Sequence, residues 1–363
     1  MRLRLGGDDF VDASSIRLVY TINETGGVNP LTPVSGPWGM WGQVYLRSNG
    51  VELDNIPYYG RFHQQYGWNQ LSMLEQFGEA GVCGFAGSGL ATNQPTLGTI
   101  AANTSYTVMH KLHLGLFSSG KLLPTRYAPL ELEMTLGAAA DWLNITGERS
   151  STFSVSNIQL LYDAYALDES VQESFYKSLL ANRVLSIPCM SVYQVVQSIP
   201  AGSTSFDFAA VRAFSRLSHV WLTLRNAGAR SSSFICPTTI VNNVGANPVL
   251  SDAGPSARLS IGPKYWPDPQ PIQSTCEHFY NLHKALPGVP NINRDNFQTN
   301  AFTIVWDVRR VPSDPTSAIS TRSGDLLRIE LKNLTANVAT ECYLTLFAFS
   351  VCAIRESGIT VLS

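Results

Sequence analysis

The run LELEMTL at residues 130–136 alternates apolar and polar side chains without a break, and no other stretch constrains the fold as much. Successive side chains on a β-strand point to opposite faces, so such a run buries one face and leaves the other in water, as in a sandwich sheet. Similar runs surround it. IRLVYTI at residues 16–22 alternates and is rich in β-branched and aromatic residues. QVYLR at residues 43–47 leads into Ser48-Asn49-Gly50, and Asn-Gly is a strong signal for a two-residue hairpin. Residues 106–116 and FSVSNIQLLYDAYA at 153–166 extend the series. Two helical patterns interrupt it. Residues 61–77 (RFHQQYGWNQLSMLEQF) space their apolar side chains near the helical period, and 168–182 (DESVQESFYKSLLAN) place Asp168 to cap and acidic residues in the first turn. Residues 183–188 and the polar stretch 197–205 are expected to join two domains.

The second half replays this order. VRAFSRLSHVWLTL at 211–224 reads as a strand, followed by an irregular stretch over 225–271 and a helix over 274–286 (STCEHFYNLHKAL). Strands are expected at 301–310 (AFTIVWDVRR), 326–332 (LLRIELK) and 342–353 (CYLTLFAFSVCA). Many short strands with Gly/Pro turns indicate sandwiches, and a doubled element order indicates two of them. The expectation is an all-β chain with a few short helices, built as tandem jelly-roll sandwiches over residues 1–190 and 191–363. A length of 363 residues agrees with two domains.

Charge narrows the function classes. Only 14% of residues are charged, against roughly 25% in an average soluble domain. A subunit that covers broad faces with neighbours needs less charge than a monomer in water; a loop-rich secreted β protein is the other charge-poor class. The net charge of −2 supplies no positive field for nucleic acid, and Arg2 and Arg4 are too few for a basic arm. The six cysteines show no C-x-x-C spacing, and Cys342 and Cys352 sit in apolar runs, so they read as thiols kept reduced. The first residues lack the apolar segment of a signal peptide, and no apolar run reaches the ~18 residues a bilayer span needs. The sequons at Asn23, Asn103, Asn144 and Asn333 are accordingly read as chance.

Motifs that carry chemistry are missing. Gly84, Gly87 and Gly89 lack the following Lys-Ser/Thr of a phosphate loop, and neither G-x-G-x-x-G nor G-x-S-x-G occurs. His110 and His113 in a strand would point to opposite faces and could not share a metal. Cys276, His278 and His283 lie on one helix at poor spacing for a zinc site. Glu131 and Glu133, beside Arg126, read as the polar face of a strand. No catalytic residue, cofactor or metal ligand is assigned. Early aromatics are dense, however, and Trp38, Trp41, Tyr58 and Tyr59 are candidate interface anchors. A sugar-stacking platform is the alternative use of the same residues.

Residues 10–22 (FVDASSIRLVYTI), Leu31-Thr32-Pro33, residues 44–59 (VYLRSNGVELDNIPYY) and the helix from 61 together resemble the opening of double jelly-roll major capsid proteins. The resemblance is to those of Polinton-like viruses, virophages and adintoviruses, in the adenovirus-hexon and tailless-phage lineage. Residues 120–136 (GKLLPTRYAPLELEMTL) and 153–166 extend it through the first half, while the second half matches by element order. The resemblance implies a non-enzymatic subunit of a homotrimer whose six jelly rolls form a pseudo-hexagonal capsomer. Such capsomers tile an icosahedral shell around a DNA genome, with the irregular stretches 84–98 and 225–271 as outer loops and trimer contacts. Implied partners are the chain itself, neighbouring capsomers, and penton and minor capsid proteins, without sequence-specific nucleic acid binding. The implied location is the virion, assembled inside a host cell; an internal membrane is left open. The rivals are a carbohydrate-binding β-sandwich and a single jelly-roll RNA-virus coat protein. The doubled strand order and the missing basic arm speak against the latter.

Overall fold

The computed structural model describes residues 1–33, 36–70, 83, 98–145, 147–181, 183–227, 253–285, 297–298, 302–311, 314–322, 325–334, 339–355 and 358–362. The chain forms two compact units. One comprises Met1–Gln64, Glu75–Tyr193 and Ala348–Ser363, the other Gln65–Leu74 and Gln194–Phe347. The second unit is thus inserted in the chain of the first.

In the first unit the strands are β1 (Arg2–Leu5), β2 (Phe10–Asp12), β3 (Arg17–Glu24), β4 (Trp41–Ser48), β5 (Val51–Ile56), β6 (Ser105–Lys111), β7 (Leu122–Pro124), β8 (Leu130–Leu136), β9 (Phe153–Leu161) and β10 (Ala164–Tyr165). They form antiparallel sheets of order β1-β8-β4-β5, β10-β2-β7 and β6-β3-β9. The alternation of residues 130–136 is realised in β8: Leu130, Leu132 and Met134 are buried while Glu131 and Glu133 face outward. Across the β4–β8 pair, Leu46 faces Leu132 and Val44 faces Met134, so the apolar side chains of both strands share one face. The hairpin between β4 and β5 has Asn49 and Gly50 at φ 48° and 81°. Two consecutive positive φ values are what a two-residue turn matching strand twist demands, and Asn-Gly meets that demand at least steric cost. Helix α1 (Tyr59–Gln70) starts two residues before its expected position, and the expected continuation through residue 77 lies outside the described residues. Helix α2 (Glu169–Leu180) has Asp168 at its N-cap position as expected, but the Asp168 carboxylate accepts no capping hydrogen bond.

The expected linker at 183–188 and 197–205 is largely strand: β11 runs from Leu185 to Ile199. Its buried residues Ile187, Cys189, Val192, Gln194 and Ile199 are interspersed with half-exposed or exposed ones of mixed character, among them Ser186, Pro188, Met190 and Tyr193.

The second unit contains β12 (Ser205–Ala210), β13 (Leu217–Asn226), β14 (Ala253–Ile261), β15 (Lys264–Trp266), β16 (Ile272–Ser274), β17 (Thr303–Asp307), β18 (Leu327–Lys332) and the first part of β19 (Thr340–Arg355). The strand expected at 211–224 starts only at Leu217, and residues 205–210, of which only Ser205 falls in the expected linker, are paired as β12. Parts of the expected irregular stretch are also paired, in β14 and β15, while 228–252 and 84–97 lie outside the described residues. One sheet has the order β12-β18-β14-β15, with β16 on β14. Helix α3 (Thr275–Ala285) is started by a capping box: the Glu277 N–H donates to Ser274 Oγ, and the Ser274 N–H donates to the Glu277 carboxylate. A further sheet has the order β11-β19-β13-β17, with β20 (Gly358–Leu362) on β19. Strands β11 and β19 each carry the chain from one unit to the other.

Candidate functional site

The most chemically distinctive cluster lies in the first unit. Tyr59 and His63 stand four residues apart on α1 and therefore share a face. The His63 ring stacks on Trp38 at 4.3 Å between centroids and meets the His113 ring at 4.4 Å and the His110 ring at 5.6 Å. His113 follows the end of β6 at Lys111, so the strand rule that would point it away from His110 does not apply, and both rings approach His63. That corrects the opposite-face expectation. His63 Nε2 donates to the Lys111 carbonyl at 3.1 Å, and the His113 N–H donates to the Tyr59 hydroxyl. Both ring nitrogens of His110 and His63 Nδ1 have no hydrogen-bond partner among the described residues. Burial disfavours the imidazolium form. It holds His63 down at about 4, and His110 and His113 well below the ordinary histidine value. Nearby, burial pushes the Asp54 carboxyl up to about 7, against the pull of backbone N–H groups including Gly115. Three neutral imidazoles packed with aromatic rings are a structural core. Among the described residues no three His, Cys, Asp or Glu side chains are grouped to hold a metal ion.

The other expected chemistry also resolves into structure. Glu133 pairs with Arg2 at 3.5 Å and Arg47 at 3.4 Å, and Glu131 with Arg4 at 3.8 Å. Arg126, expected beside these glutamates, instead faces Asp8 at 3.7 Å. On α3, His278 is buried and bonded to the Pro255 carbonyl, while Cys276 and His283 lie on the exposed side. In the second unit Arg309 grips Asp307 through two hydrogen bonds at 2.9 and 2.7 Å, with His219 3.9 Å from the same carboxylate.

The four proposed anchors divide. Trp41 and Tyr59 are fully buried, with Trp41 edge-on to Tyr20 at 5.3 Å. They belong to the core of the first unit and can neither anchor a partner nor stack on a sugar without unfolding it. Trp38 is half-buried against His63, and Tyr58 alone is well exposed, at 42%. The exposed apolar surface lies elsewhere. Helix α2 buries only Leu179, while Val171, Tyr176 and Leu180 are exposed, as are Leu161, Tyr162 and Tyr165 just before it. Exposed large apolar side chains grouped along one stretch of chain are candidates for an interaction surface. It could be found in the sequence only as an excess: Val171, Phe175, Tyr176, Leu179 and Leu180 are more apolar residues than one narrow helix stripe uses.

No family model matches the chain, and no curated protein matches its sequence. Solved structures do. The chain is similar over 100% of its length, and 92% of the other chain, to the capsid of the virus PBCV-1, with a TM-score of 0.66 at 12% identity. It matches the Sputnik virophage structure over 99% of its length and 85% of that chain, at TM-score 0.57 and 10% identity. For the mavirus major capsid protein the shares are 99% and 86%, at TM-score 0.55 and 8% identity. Backbone agreement over the whole chain at this level of identity is agreement of fold: this chain is a double jelly roll, as those capsid proteins are.

Proposed function

We propose that this chain is the major capsid protein of an icosahedral DNA virus, a structural subunit that acts by shape and self-association. The observation that carries the reading is the whole-chain match to capsid structures, with the second jelly roll included and little of either chain left over. In this reading the chain divides into two rolls near residues 190/191, with the last strand returning to the first roll. Three copies then set six rolls in a pseudo-hexagonal capsomer that packs against its neighbours in the virion shell. The low charge and the exposed apolar side chains, among them Tyr58, Leu161, Tyr165 and Tyr176, support self-association through weakly charged contacts. Penton and minor capsid proteins complete the shell as partners. The role is structural, and no residue is assigned to catalysis.

Light scattering coupled to size exclusion tests the reading. A mass about three times that of the 39.7 kDa chain is expected. Tyr176→Asp together with Leu180→Asp should shift the protein toward monomer while its far-UV circular dichroism is unchanged. A wild-type protein that stays monomeric at high concentration would overturn the proposal.

A further inference from the structure

The first unit holds a pair of thiols that its packing does not need as thiols. Cys189 on β11 and Cys352 on β19 place their sulfurs 3.5 Å apart, in neighbouring strands of one sheet. Two residues further along β11 and two residues back along β19, Ser191 Oγ donates to Ser350 Oγ at 2.7 Å. Both contacts fit one antiparallel register in which Cys189 faces Cys352 directly. Directly opposed side chains have Cβ atoms about 4.5–5.5 Å apart, and a disulfide needs about 3.5–4.5 Å. Closing the bond therefore asks for side-chain rotation and a slight strand approach, without a change of pairing. Both residues lie in the first unit, at 8% and 0% exposure, so the pair is shielded from bulky thiols and large oxidants.

We propose that Cys189 and Cys352 are an oxidation-driven staple: reduced when the chain folds, and joined as a disulfide once it meets a small peroxide. The steps balance. The Cys352 thiolate attacks one oxygen of hydrogen peroxide and breaks the O–O bond, giving a sulfenic acid and a hydroxide that leaves as water. The Cys189 thiolate then attacks the Cys352 sulfur, forms the S–S bond and expels the second hydroxide, which takes the remaining proton. Two thiols lose two electrons, and one peroxide becomes two waters. The two sulfurs are in hydrogen-bond contact at 3.5 Å, and that contact holds the Cys352 thiol below its ordinary value, which favours Cys352 as the attacking thiolate. Peroxide is close to water in size and reaches buried groups through local openings.

The position of the staple gives it an effect. The chain leaves the first unit after Tyr193 and re-enters it at Ala348. A bond 163 residues apart in sequence, from Cys189 to Cys352, closes a covalent loop around the whole 194–347 segment. Cross-links that close long loops constrain the unfolded chain most. A subunit folded under reducing conditions would become harder to unfold in an oxidising exterior. The inference is independent of the assembly reading, because it concerns one chain and can be tested on a monomer.

The experiment treats the purified full chain with hydrogen peroxide, blocks remaining thiols, and maps the digest under non-reducing conditions. A peptide joining Cys189 to Cys352, lost on adding reductant, is expected. Unfolding in guanidinium should slow by about tenfold or more in the oxidised protein and return to the original rate on reduction. Cys352→Ala should abolish both effects and Cys276→Ala neither; the wild-type digest decides the question even if the former variant folds poorly. Cys189 and Cys352 recovered as separate thiols or as sulfinic acids, or a linked peptide without slower unfolding, would overturn the staple.

Discussion

Strands β8 and β13 meet opposite fates. In β8 every second residue is buried from Leu130 to Met134, and Glu131 and Glu133 take up arginine partners on the outer face. In β13 all residues from Leu217 to Arg225 are buried, polar ones included. Some of its polar side chains find partners: Ser218 Oγ donates to the Phe347 carbonyl at 2.9 Å, and Arg225 reaches the Tyr343 hydroxyl, while Thr223 Oγ1 and the Trp221 indole N–H have none among the described residues. Alternation reports a sheet face in water, whereas a strand covered on both faces buries polar and apolar residues alike and shows no such period. The sequence of β13 (LSHVWLTLRN) still looks half-polar, and its burial was not readable from it.

Mutations can break this comparison. The largest effect should come from Trp221→Ala in β13, where the ring packs 4.5 Å from Phe347 and is buried; a loss of about 3–5 kcal/mol in urea unfolding is expected. A loss below about 1 kcal/mol would mean that β13 is not a covered strand.

Acid comes next, and it acts on both units. His63 in the first and His219 and His278 in the second are held at about 4, chiefly by burial, against an ordinary 6.5. Between those values the unfolded chain binds protons that the folded chain refuses, so stability is full above about 6.5 and is lost as pH falls toward 4. For His63 alone the shift corresponds to about 3 kcal/mol. Asp54, raised to about 7, has the opposite sign: the folded state keeps its proton longer, so this group favours folding as the pH drops. The net expectation is acid destabilisation between pH 6.5 and 4, steeper in Asp54→Asn, checked by denaturant midpoints across the pH range. A midpoint that is flat in both proteins would show that the histidine cluster is solvated.

The smallest effects sharpen the contrast most directly. Ser218→Ala removes a buried hydrogen bond and should cost about 1–2 kcal/mol. Glu131→Ala removes an exposed ion pair on β8 and should stay within about 0.5 kcal/mol. Equal costs for the two would remove the distinction between the strands.

What the sequence by itself determined was local and periodic. The β8 alternation, the Asn49-Gly50 hairpin and the helices beginning near residues 59, 169 and 275 follow from side-chain period, turn stereochemistry and capping, which act over a few residues. Even the doubled order of elements is a one-dimensional pattern. Tertiary structure decided which aromatic residues are core: Trp41 and Tyr59 look no different from Tyr58 in the chain, yet only Tyr58 is well exposed. It also brought His63 to His110 and His113, and Cys189 to Cys352, across separations that no local rule spans. Burial is a property of what packs on a residue from elsewhere in the chain, and that information is not carried by its neighbours in sequence.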